Sequence, residues 1–134
     1  MGRLFGTDGI RGVANRDLSI QRSAQVGQAL ATVLRERLGD RKPRVFIGKD
    51  TRLSSDMIEA ALAAGLCAGG ADCVSLGVVP TPAVAYLTVA HGMDAGVMIS
   101  ASHNPFQFNG IKIFGSKGYK LTDDQEAEIE DMIL

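Results

Sequence analysis

From Asp17 to Leu38 the apolar residues Val26, Leu30, Val33, Leu34 and Leu38 recur at steps of three and four, which predicts a helix with one buried face. Asp17 or Ser19 can cap its start, and Gly39 stands where a left-handed residue closes a helix. Val45-Phe46-Ile47 is a short unbroken apolar run, the pattern of a buried strand, ended by Gly48. A second helix follows, with Ser54, Ser55 and Asp56 as cap candidates and Gly69-Gly70 as its stop. Cys73 to Val79 reads as the next strand. Pro80-Thr81-Pro82 is a helix-start signal, with Thr81 as cap and Pro82 at the first helical position, and this third helix stops near Gly92. Gly96-Val97-Met98-Ile99 is another apolar strand, leading straight into Ser100-Ala101-Ser102-His103-Asn104-Pro105. Asn109-Gly110 marks a turn, after which Ile111 and Ile113 alternate with Lys112 as in a strand with one buried face. Thr122-Asp123-Asp124-Gln125 matches a capping box, so a last helix begins at about Asp123 and the sequence ends within it at Leu134.

Strands alternating with helices predict a three-layer α/β/α domain around a mixed, mostly parallel sheet. In such sheets ligands gather beyond the carboxyl ends of the strands. Three loops are candidates: after Ile47, after Ile99, and the glycine-punctuated opening Phe5-Gly6-Thr7-Asp8-Gly9-Ile10-Arg11-Gly12, which is a strand interrupted by turns or a loop. The length of 134 residues suits one domain, and an end inside a helix leads us to expect that residues 1–134 were excised from a longer chain.

Composition narrows the function. Fourteen Lys and Arg against 15 Asp and Glu give −1, so no basic field exists to hold a nucleic acid. An apolar share of 46% with 22% charged residues excludes disorder. The longest low-polarity run, Ala60 to Ala71, is too short for a bilayer, which needs about twenty residues, and no apolar signal segment opens the chain. A cytoplasmic protein without membrane partners is expected. Cys67 and Cys73 fit no metal or redox spacing and read as free thiols.

Candidate chemistry lies in the loops. Lys49 and Arg52 in Gly48-Lys49-Asp50-Thr51-Arg52 could bind an anion, or form a local Lys49–Asp50 or Asp50–Arg52 pair in a solvated turn. Among its glycines Arg11 offers a planar fork to a phosphate, or ties back to Asp8. Ser102 could be a nucleophile or phosphoryl carrier in a loop that Pro105 keeps extended, or could simply satisfy backbone groups. Alternation puts Lys112 on the face opposite Ile111 and Ile113, facing either a cleft or solvent. His91 reads as a helix cap or surface residue.

In order and spacing, the opening stretch, Gly48-Lys49-Asp50-Thr51-Arg52, Ile99-Ser100-Ala101-Ser102-His103-Asn104-Pro105 and Asn109-Gly110-Ile111-Lys112 together resemble the first domain of the α-D-phosphohexomutase superfamily. Phe5-Gly6-Thr7 and Ser100 are more similar to the branch acting on glucosamine phosphates than to phosphomannomutase/phosphoglucomutase relatives. The resemblance implies that Ser102 carries a phosphoryl group. It would give this group to a hexosamine monophosphate, form a bound 1,6-bisphosphate, and take the other phosphate back. The resemblance implies that glucosamine 6-phosphate and glucosamine 1-phosphate would thereby be interconverted, on the way to UDP-N-acetylglucosamine and peptidoglycan. Arg11 and Lys112 are implied to stabilise the transferring group and assist proton movement, with His103 in support. Thr7, Asp8, Lys49, Arg52 and Asn104 are implied to contact substrate or phosphate.

Mg²⁺ is implied as well, reached from this chain only through a phosphate oxygen on Ser102. The family's metal loop Asp-Gly-Asp-Gly-Asp-Arg, its sugar-selecting Gly-Glu-x-Ser-Gly and its Arg-x-Ser-Gly-Thr phosphate loop do not occur in these residues. The resemblance therefore implies remaining domains as partners, a glucose or glucosamine 1,6-bisphosphate as activator or intermediate, a homodimer of the full-length enzyme, and an inactive isolated segment. Two rivals are a non-catalytic phosphosugar-binding domain and a serine hydrolase using Ser102; against the latter, no Gly-x-Ser-x-Gly elbow is present.

Overall fold

The computed structural model describes residues 4–101 and 104–134. The elements run β1 (Ile10–Val13), α1 (Ile20–Leu38), β2 (Arg44–Lys49), α2 (Ser55–Ala68), β3 (Asp72–Val78), α3 (Thr81–Ala90), β4 (Ala95–Ile99), β5 (Phe108–Gly115) and α4 (Asp123–Ile133). Among the described residues the strands form one sheet in the order β1-β5-β4-β2-β3. The β2–β3 and β2–β4 pairs are parallel, β4–β5 and β1–β5 antiparallel. Only β5 therefore runs against the other strands, and the mixed, mostly parallel α/β/α sheet predicted from the pattern is the one observed.

Helices α1 and α4 start on local side-chain caps. Ser19 Oγ accepts the Arg22 N–H at 3.0 Å and starts α1. Asp17 is not the cap: its carboxylate instead accepts the Val13 N–H at 3.0 Å. Gly39, at φ 67°, closes α1 by donating to the Arg35 carbonyl. Thr122 and Gln125 make the reciprocal capping box that opens α4.

The sheet's two faces are covered unequally. One face presents Val45, Ile47, Val97, Ile99, Ile111 and Ile113 to α1, α2 and α4, forming the main core with Leu30, Leu62, Leu66 and Ile129. Truncating a fully buried member such as Leu62 should remove about 2–5 kcal/mol of stability. Helices α1 and α2 cross at Gly27 and Gly65, where an added Cβ would strike the Leu62 carbonyl or the Ala24 carbonyl of the facing helix. The buried Glu130 of α4 accepts the Leu4 and Phe5 N–H groups at 2.6 and 2.9 Å, fastening the opening stretch beneath this core. The opposite face carries α3 alone, packed through Val84 on Met98 and Phe114.

Two expectations need correction. Asn109-Gly110 is not a turn but lies inside β5. The buried Asn109 amide donates to Ser54 and Ser55 hydroxyls at 2.9 and 3.0 Å, and Gly110 sits where two strands and a side chain crowd together. Helix α3 begins one residue earlier than expected, with Pro80 in the cap position and Thr81 already helical and making no capping bond.

Candidate functional site

Strand alternation puts Arg11 of β1, Gly110 and Lys112 of β5, and Met98 of β4 on the sheet face that carries α3. Gly110 has a specific reason to lack a side chain: a Cβ there would lie 2.9 Å from Arg11 Cγ and 2.9 Å from the Ser100 carbonyl oxygen. The Arg11 stem thus passes directly over Gly110. Asp8, Arg11, Thr81, Met98, Ser100 and Lys112 line a cleft of about 150 Å³ where the cover supplied by α3 ends.

Its electrostatics favour an anion. The Arg11 guanidinium is 3.8 Å from the Asp8 carboxylate, with side chains 29% and 54% exposed, so the pair is loose and Arg11 stays available to the cleft. Its buried Nε has no hydrogen-bond partner among the described residues. Lys112 Nζ lies 5.5 Å from the centre of the Phe114 ring. Thr81 opens α3, whose first turn holds no acidic residue, so the positive end of the helix dipole faces the same space.

A larger, more open cleft of about 670 Å³ adjoins it, sharing Ser100 and lined by Asp50, Thr51, Arg52, Leu53, Asn104 and Phe106. Asp50 organises it. Its Oδ1 accepts from Ser55 Oγ at 2.7 Å and from the Arg52 N–H at 3.1 Å, and its Oδ2 from Arg52 Nε at 3.0 Å. Burial by itself would raise this carboxyl, but hydrogen bonds from Ser55, the Arg52 backbone, Ser100 and the Arg52 side chain outweigh it and hold the group below its ordinary value. Arg52 Nη1 donates to the carbonyls of Asn104 and Pro105 at 2.8 Å each and of Phe108 at 3.2 Å. One guanidinium therefore joins the loop after β2 to the segment after Asn104.

The structure brings Asp8, Arg11 and Lys112 together, and places Arg52 and Asn104 in the adjoining cleft. Thr7 is exposed in the turn beside Asp8. Lys49 is turned elsewhere. Its ammonium is 2.7 Å from Asp56 and 2.9 Å from Glu59, and hydrogen bonds to these two carboxylates hold its proton above the ordinary value. The local Asp50–Arg52 pair weighed from sequence forms, while Lys49 pairs forward with α2 rather than with Asp50. Ser102 and His103 lie outside the described residues, between the cleft-lining Ser100 and Asn104 in sequence. His91 ends α3, its ring edge-on to Phe46 at 5.6 Å.

Sequence reasoning named Thr81 only as a helix cap and Asp50 only as a pairing partner, and missed that both line the clefts. Thr81 was traceable, because its helix-start signal follows a strand and so points a helix N-terminus at the ligand-binding edge of the sheet. Among the described residues no group of three or more His, Cys, Asp or Glu side chains could hold a metal ion, and no helix is long and apolar enough to cross a membrane.

Comparison with known proteins agrees with this architecture. The family profile described as Phosphoglucomutase/phosphomannomutase, alpha/beta/alpha domain I matches residues 2–134. The chain is 60% identical over 134 residues to a phosphoglucosamine mutase of Caldicellulosiruptor bescii, covering all of this chain and 29% of the relative. It is 59% identical over 133 residues to one of Clostridium perfringens, covering 99% of this chain and again 29% of the relative. A phosphoglucomutase/phosphomannomutase family structure from Burkholderia thailandensis superposes with a TM-score of 0.83 at 32% identity, over 97% of this chain and 29% of that one. A Thermus thermophilus structure named for phosphomannomutase gives 0.87 at 31% identity with the same coverage. The chain belongs to the phosphoglucomutase/phosphomannomutase family and corresponds to its α/β/α domain I. It spans under a third of the length of the phosphoglucosamine mutases it matches.

Proposed function

We propose that this chain is the phosphoserine domain of a phosphoglucosamine mutase, an isomerase that interconverts glucosamine 6-phosphate and glucosamine 1-phosphate. The observation that supports this most is the convergence of Arg11, Lys112 and the α3 N-terminus on one small cleft bordered by Ser100, two residues before Ser102. Phosphoryl transfer asks chiefly for positioning and charge neutralisation, and this cleft supplies both.

In the proposed cycle a phosphoryl group on Ser102 passes to a free hydroxyl of the sugar monophosphate. The serine oxygen–phosphorus bond breaks as the sugar oxygen–phosphorus bond forms, and the hydroxyl proton ends on Ser102. The resulting 1,6-bisphosphate turns around, and its other phosphate returns to Ser102. Arg11 and Lys112 neutralise the transferring group, with Lys112 or His103 assisting the proton. Asp8, only loosely paired with Arg11, borders the substrate together with Asn104 and Thr7. Arg52 acts by fixing the segment after Asn104, and Lys49 by bracing α2 behind it. Mg²⁺, bound through a phosphate oxygen on Ser102, would supply charge neutralisation, with its other ligands on parts of the enzyme beyond this chain. Those parts would complete the substrate site, so the segment alone is inactive, and the whole enzyme is cytoplasmic.

The test is mass analysis of the endogenous protein. Trypsin cutting after Arg52 and Lys112 releases one peptide that contains Ser102. A parent several times heavier than 14.2 kDa with one phosphate on Ser102 is expected. A 14.2 kDa chain with unmodified Ser102 would instead indicate a stand-alone phosphosugar-binding domain.

A further inference from the structure

Cys67 lies in the last turn of α2 and Cys73 is the second residue of β3. Between them Gly69 ends the helix and Gly70, at φ 96°, reverses the chain. The reversal is pinned by the Gly70 N–H to the Cys67 carbonyl at 3.1 Å and the Ala71 N–H to the Leu66 carbonyl at 2.9 Å. The strand consequently sets out beside the helix it follows, and the two sulfurs come to rest 3.9 Å apart. Both are free thiols, Cys67 exposed and Cys73 partly so, with Cys73 at the rim of an open groove beside Val74 and Phe46. Lys42, paired with Asp72 at 2.9 Å, is within electrostatic reach of the Cys67 sulfur. Neither thiol borders the two clefts described above.

A disulfide requires the sulfurs to approach to about 2.05 Å, about 2 Å closer than they stand here. We propose that Cys67 and Cys73 are a modification site: a dithiol that peroxide closes to an intramolecular disulfide and that thiols reopen. The exposed Cys67 attacks first, as thiolate, on one peroxide oxygen. The O–O bond breaks, Cys67 becomes a sulfenic acid, and the other oxygen leaves as water after taking a proton. Cys73 then attacks the Cys67 sulfur, loses its proton, and expels the hydroxyl as a second water. Two thiols lose two electrons and one peroxide becomes two waters. The order follows from access: Cys67 is exposed to peroxide, whereas Cys73 is partly buried beside it, and that burial pushes its thiol up so that it keeps its proton until the sulfenic acid is beside it. The inference is independent of the activity proposed above.

The test uses the full-length protein carrying this segment. It is treated with hydrogen peroxide, blocked with maleimide, denatured, and cut with a protease specific for the amino side of aspartate, which separates Cys67 from Cys73 at Asp72. The expected result is that maleimide on this segment falls from two labels to none, and that the Cys67 and Cys73 fragments stay joined until dithiothreitol releases them. Cys67→Ser and Cys73→Ser should each abolish the joined species, and Cys73→Ser should leave a Cys67 sulfenic acid that dimedone traps. The proposal is overturned if both thiols still label at peroxide doses that oxidise glutathione. It is equally overturned if Cys67 proceeds to sulfinic acid without joined fragments, or if the joined fragments come only from disulfide-linked dimers.

Discussion

Arg52 separates two readings of the loop after β2, a phosphate ligand or a clamp, and replacing it decides between them. Its side chain is 12% exposed and bonded to Asp50 through Nε and to three backbone carbonyls through Nη1. A hydrogen bond to a charged group is worth about 1.5–3 kcal/mol, and bonds sharing one donor do not add. The Pro105 contact is exposed and those to Asn104 and Phe108 only partly buried, so water recovers some of the loss. Arg52→Ala should therefore cost about 2–3 kcal/mol. Arg52→Lys should recover less than half of that, because one ammonium cannot reach both the Asp50 carboxylate and the carbonyls as the planar fork does. With a urea slope of about 1.5–2 kcal/mol/M for a domain of this size, the Arg52→Ala midpoint should fall by about 1–2 M. Midpoints within about 0.3 M of wild type for both variants would refute the clamp and return Arg52 to the role of a ligand.

The remaining predictions follow from the same contacts. Asp50 is held below its ordinary value near 3.8, so the stability it contributes is complete above that pH and is lost as pH falls through the lower folded value. The urea-midpoint gap between wild type and Asp50→Asn should accordingly narrow below about pH 4, whereas a gap constant from pH 7 to pH 3 would contradict this. Gly110→Ala should destabilise by about 1–3 kcal/mol, because two of the three atoms its Cβ would meet are backbone oxygens that cannot step aside; an unchanged melting temperature would show that β1 and β5 yield freely. In the full-length enzyme Ser102→Ala should abolish most mutase turnover while leaving thermal unfolding unchanged, and near-normal kcat would defeat the role given to Ser102.

Legibility tracked the range of the interaction that fixes each element. The Ser19 cap of α1 and the Thr122–Gln125 box of α4 are settled within four residues; the sequence offered the first as one of two candidates, with Asp17, and the second outright. The face occupied by Lys112 could be read as well, since alternation is a local rule. Asn109-Gly110 misled because its chemistry is distant: the Asn109 amide answers Ser54 and Ser55, and Gly110 makes room for Arg11. The Lys49–Asp50 pair weighed from sequence does not form for the same reason, since the partners of Lys49, Asp56 and Glu59, lie on the following helix α2. The approach of Cys67 to Cys73 depends on how the Gly69-Gly70 reversal sets β3 beside α2, which no spacing rule encodes.

The unequal cover of the sheet explains why stability and binding should be separable here. Three helices close one face, while on the other α3 starts only at Thr81, and Arg11 and Lys112 emerge where its cover stops. Cations left beside a half-open cleft add little to the fold, because partly exposed charges are well screened. The apolar face beneath α1 and α2 carries the stability instead. Leu62→Ala, deep in that layer, should lower stability by about 2–5 kcal/mol and leave inorganic phosphate affinity unchanged. Lys112→Ala should weaken phosphate binding at least about tenfold and change stability by less than about 0.5 kcal/mol. The two act from opposite faces of the sheet, so in the double variant both effects should add within about 0.5 kcal/mol. Urea titration and phosphate-binding calorimetry on the four proteins of this cycle measure both quantities, and a coupling above about 1 kcal/mol would mean that the core and the cleft are one cooperative unit.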